Sequence, residues 1–101
     1  RRGDGMIDID INGTCLQSYL TADYADLVRA FGPPMAGDDY NTDAEWVVRV
    51  NDTTATIYNW KNGPAYCGPD GIPVEQISRW NIGGRSIAAV TLVERLLEAS
   101  R

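Results

Sequence analysis

Seven consecutive residues, Trp80-Asn81-Ile82-Gly83-Gly84-Arg85-Ser86, are the part of the chain best suited to holding an anion. Two glycines and a serine lead into a helix start. Unpaired backbone N–H groups and the positive end of the helix dipole attract negative charge there. Arg85 adds a guanidinium that matches phosphate or carboxylate, and Trp80 offers a ring for stacking. The plainer reading of the same residues is a strand-to-helix turn. In it, glycine supplies the dihedrals and Ser86 the cap. The stretch is not a full P-loop.

A second group lies in the Gly/Pro-rich stretch that starts at Lys61 and runs to Gly71. Trp60, Lys61 and Tyr66 are its contact-forming residues. As a recognition loop it would lie near Trp80 if the strands pair in sequence. As a connector it is ordinary turn chemistry.

Covalent chemistry finds little to work with. The chain has no histidine, so neither Ser86 nor Cys67 has its usual base. Lys61 is the only lysine. No carboxylate pair is anchored by a motif. Asp4, Asp8 and Asp10 imitate a metal cluster, but Asp8 and Asp10 would sit about 7 Å apart on the solvated side of a strand. Cys15 and Cys67 form no CxxC, and zinc lacks its usual ligands. We expect no catalytic residue, no metal and no cofactor, hence a protein that is not an enzyme. Buried, reduced thiols are the default expectation for the two cysteines.

The elements that must position these residues follow from periodicity. Ile7, Ile9 and Ile11 alternate with polar residues, and Asn12-Gly13 is a hairpin signal that returns the chain as a strand over Thr14 to Tyr19. Thr21 is the expected cap of a helix carrying Tyr24, Leu27, Val28 and Phe31 on one stripe. Gly32 and Pro33-Pro34 end it. Met35 to Asp43 reads as a loop. Ala44–Val50 and Thr54–Trp60 read as a strand pair, Pro73–Ile77 as one helical turn, and Ser78–Ile82 as a last strand broken by Gly83-Gly84. A final helix follows Ser86. The expected fold is α+β: one antiparallel sheet of about five strands, two helices on one face, order ββαβββα. Met6 reads as a start after Arg1–Gly5, a leading remnant or disordered N-terminus, with 6–101 as one domain.

The 101 residues carry 9 basic and 14 acidic side chains, a net charge of −5. That balance argues against nucleic acid and against an anionic membrane surface as partners. No apolar run approaches the roughly 18 residues of a membrane span. All three tryptophans fall in the three strands after the loop. If their face is the one the helices cover, they are core. Otherwise they form a dimer interface or a ligand platform.

Thr14-Cys15-Leu16-Gln17-Ser18-Tyr19, Phe31-Gly32-Pro33-Pro34, Ala55-Thr56-Ile57-Tyr58-Asn59-Trp60-Lys61 and Trp80-Asn81-Ile82-Gly83-Gly84 together resemble a family of small tailed-phage proteins of hypothetical function. The likeness covers most of the chain. That family reads Trp-His-Ile-Gly-Gly at the last motif. Asn81 replaces the histidine here, which weakens any catalytic role for the position. The resemblance implies a phage source. With it, the leading expectation is a non-enzymatic effector that binds and blocks a host or defence protein in the host cytoplasm. The alternatives are a binder of a small anionic ligand such as a nucleotide signal, and a virion accessory protein. The expected site comprises Trp60, Lys61, Tyr66, Trp80, Asn81, Gly83, Gly84, Arg85 and Ser86, and a homodimer is expected.

Overall fold

The computed structural model describes residues 15–38 and 40–101. The expected strand over Ile7–Ile11, its Asn12-Gly13 turn and the three early aspartates lie outside the described residues. Five antiparallel strands form one open sheet in the order β1-β5-β4-β3-β2, so the fold is α+β. The strands are β1 (Cys15–Thr21), β2 (Met35–Ala36), β3 (Ala44–Val50), β4 (Thr53–Tyr58) and β5 (Arg79–Gly84). The helices are α1 (Tyr24–Phe31), α2 (Pro64–Cys67) and α3 (Ala88–Ala99). Among the described residues no helix is long and apolar enough to cross a membrane.

Several boundaries differ from the sequence reading, each for a local reason. Thr21 ends β1, paired with Arg79, and does not cap α1. Asp23 takes the cap position, and its backbone carbonyl accepts from the amides of Asp26 and Leu27. Met35–Ala36, read as loop, pairs with Ala44 and Glu45 as a two-residue edge strand too short to show a period. Gly83 and Gly84 do not break β5. They are ladder residues, paired with Thr56 and Ala55 on one side and with Leu16 and Cys15 on the other. A side chain at Gly84 would meet the Ala89 methyl at 2.3 Å, so glycine is what lets α3 close onto the strand. A short third helix, α2, interrupts the loop after β4. The turn expected near Pro73–Ile77 is a 3₁₀ turn over Val74–Gln76.

Helices α1 and α3 lie on one face of the sheet. Beneath them Ala55, Ile57, Trp46, Trp80 and Ile82 are buried with Leu27, Val93 and Leu97. Trp46 and Trp80 meet edge to face, with ring centroids 5.3 Å apart, and Tyr24 of α1 touches both rings. Each indole N–H is satisfied by a backbone carbonyl, Trp46 by Gly32 at 2.7 Å and Trp80 by Ala22 at 2.9 Å. These bonds remove the desolvation cost that a buried donor would otherwise carry. They also tie the ends of the α1 segment to β3 and β5.

Candidate functional site

Among the described residues, the face opposite α1 and α3 is the open one. Register places Tyr19, Asn81, Tyr58 and Glu45 in one row across β1, β5, β4 and β3. Because side chains alternate along a strand, this row points away from the core that contains Trp80 and Ile57. Arg79 precedes Asn81 by two positions and shares its side.

A shallow groove of about 570 Å³ runs across this face. Leu16 and Tyr19 bound it on β1, Arg79 and Asn81 on β5, and Tyr58 on β4, with Trp60 and Asn62 closing it beyond the strand end. The guanidinium of Arg79 lies 5.0 Å from the centre of the Tyr19 ring. The ammonium of Lys61 lies 5.6 Å from the Trp60 ring and 5.1 Å from the Tyr66 ring. Tyr58 and Trp60 meet edge to face at 6.4 Å. The result is a band of aromatic rings with a cation stacked at each end, an arrangement stabilised by the negative faces of the rings.

The loop that presents Trp60, Lys61 and Tyr66 is held from beneath. Asn59 has no exposed surface. Its carbonyl oxygen accepts from the backbone amides of Asp43 (2.7 Å) and Ala44 (3.1 Å). Its amide nitrogen donates to the Asp43 carboxylate (2.8 Å) and to the Asn62 side chain (3.1 Å). Asp43 in turn accepts from the Ala65 amide at the start of α2. Lys61 takes a left-handed backbone (φ 58°), and its amide donates to Asn41. Asn62 donates on to the Arg79 carbonyl, which joins the loop to β5. Sequence reasoning singled out neither Asn59 nor Asp43. The signal was an asparagine on the apolar side of an alternating strand, where a polar residue needs a reason.

The nine expected site residues therefore divide. Trp60 and Asn81 line the groove, Lys61 stands beside it over the Trp60 and Tyr66 rings, and Gly83 lies on the same face two positions from Asn81. Trp80 is 0% exposed and belongs to the core, so it presents no ring to a ligand. Gly84 is buried against α3, its carbonyl accepting from Gln17. Arg85 and Ser86 lie beyond the far end of β5, beside a hollow of about 60 Å³ lined also by Asp52, Thr53 and Thr54. Ser86 behaves as a turn residue there, its hydroxyl accepting from the Ala88 amide and its carbonyl from the Ala89 amide. The run from Trp80 to Ser86 is therefore not one site. Leu16, Tyr19, Tyr58 and Arg79, which the sequence reading did not select, complete the groove.

Cys15 and Cys67 are both exposed and unlinked, contrary to the expectation of buried thiols. Among the described residues no group of three or more histidine, cysteine, aspartate or glutamate side chains is arranged to hold a metal ion. No family model, no curated protein and no solved structure matches this chain.

Proposed function

We propose that this protein is a non-enzymatic effector that binds a protein partner across its open sheet face and blocks it. The observation that carries this reading is the make-up of that face. Tyr19, Tyr58, Trp60, Tyr66 and Arg79 gather on a sheet and on a loop pinned by Asn59. Tyrosine, tryptophan and arginine are enriched among the few residues that dominate binding energy at protein interfaces, and the two aromatics offer large contact area for two rotatable bonds. Asparagines such as Asn62 and Asn81 add adaptable hydrogen bonding. A rigid platform of this kind loses little entropy on binding. Taken with the likeness to small tailed-phage proteins, the reading becomes a phage-encoded effector directed at a host or defence protein in the cytoplasm of the infected cell.

The test is capture from host lysate with wild-type protein and with a Tyr58→Ala/Trp60→Ala variant. Wild type should retain a specific protein in stoichiometric amount, and the folded variant should lose it. Equal recovery by both would remove the open face from the argument. Native mass spectrometry of the gently purified protein separates this reading from ligand storage. A clean protein mass agrees with a protein target, whereas a retained mass of nucleotide size would replace it with the small-ligand reading.

A further inference from the structure

Among the described residues neither cation at this face, Arg79 in the groove lining and Lys61 beside it over the Trp60 ring, is paired with an anion. The Arg79 guanidinium and the Lys61 ammonium lie over aromatic rings, while Arg29 and Arg101 pair with Asp26 and Glu98. Acidic residues outnumber basic ones 14 to 9 in the chain, yet among the described residues no aspartate or glutamate lines the groove. Glu45 sits at the far side of the face, two strands from Arg79, and is already engaged by a neighbour. The side-chain amide of Asn81, which lines the groove, makes no hydrogen bond within the described residues. An arginine held over a ring face without a carboxylate partner keeps guanidinium N–H groups for a carboxylate, which such a planar fork can grip with two parallel bonds.

We infer that the open face takes an acidic segment of a protein partner, its carboxylates set against Arg79 and Lys61 and its apolar groups against Tyr58 and Trp60. This rests on the protein-binding reading above. Exposure decides between a segment and a small molecule. Pockets for small ligands enclose about 70–90% of the ligand surface. Here Tyr19 and Trp60 remain 58% and 47% exposed, and the groove is open along its length. An extended chain laid across several strands would gain contact with both cations and all the rings, whereas a compact ligand would leave most of itself in water.

The experiment is an NMR titration of the ¹⁵N-labelled full chain with a synthetic peptide of sequence Glu-Leu-Glu-Gly-Glu-Leu-Glu-Gly. The lysine-for-glutamate peptide and AMP serve as separate probes. The acidic peptide should shift the Arg79 and Asn81 amides and the Trp60 indole, with affinity falling about tenfold between low and high salt as the charges are screened. Arg79→Gln with Lys61→Gln should abolish those shifts while leaving the core resonances in place. Equal shifts from the lysine peptide, no shifts from the acidic one, or shifts from AMP alone would each overturn the proposal. If Trp60→Ala loses a captured protein and Arg79→Gln/Lys61→Gln keeps it, the acidic-segment inference falls while the protein-binding reading stands.

Discussion

The fully buried amide of Asn59 donates to the carboxylate of Asp43 at 2.8 Å, across sixteen positions of sequence. That bond joins the end of β4 to the start of β3 at the point where the chain turns out to present Trp60 and Lys61. Replacing Asn59 by leucine leaves the Asp43 and Ala44 amides without their acceptor. Unsatisfied buried groups cost about 1–3 kcal/mol each, so we expect Asn59→Leu to lose about 2–6 kcal/mol in urea denaturation. A Trp60 environment unchanged in the folded variant's fluorescence would show that the network does not position the loop.

Gly63 lies against the same pair. A methyl at this position would sit 2.1 Å from the Asp43 carboxylate and 3.0 Å from the Asn59 amide. Because Asp43 is held at both oxygens, it has little room to move. Gly63→Ala should destabilise by about 1–3 kcal/mol, the usual range for overpacking. Gly84→Ala, which would press on Ala89 of α3, should cost a similar amount. Thermal melts of the two single variants check both, and an unchanged melting temperature in either would show that the neighbour yields.

The tryptophans separate stability from binding. Trp80 is fully buried and Trp60 is 47% exposed. Trp80→Ala should lose about 3–5 kcal/mol, as large core truncations do. Trp60→Ala should lose less, about 1–3 kcal/mol, because about half of its ring is already in water. The same denaturation series reads both. A large loss at Trp60 would recast it as structural.

Asp38 gives a pH signature. The backbone amides of Thr42, Tyr40 and Asn41 converge on its carboxylate and hold its pKa down from 3.8 to about 2. A carboxylate depressed in the folded state contributes its stability fully above the ordinary value and loses it as pH falls through the folded one. The turn should therefore stay intact at pH 4 and loosen near pH 2. The Tyr40, Asn41 and Thr42 amide resonances should titrate with that midpoint. In Asp38→Asn the titration should vanish, and its persistence would assign it to another group.

Much of this protein is legible in its residues alone. The stripe of Tyr24, Leu27, Val28 and Phe31 and the apolar run of the last helix specify α1 and α3, because a 3.6-residue period leaves one buried face. Alternation at Trp46, Val48 and Ile57 specifies β3 and β4, and the composition specifies an acidic chain without histidine. What alternation cannot say is which side of one strand shares a layer with which side of the next. That depends on the register set by the turn and on pairing between distant segments. Only the tertiary structure puts β1 beside β5, sends Trp46 and Trp80 into the core and Trp60 to the open face, and brings Arg79 onto Tyr19. The same long-range pairing makes Gly83-Gly84 part of a strand and turns Asn59 into the anchor of the loop that carries Trp60 and Lys61, since its partners lie sixteen residues back in the chain and three ahead.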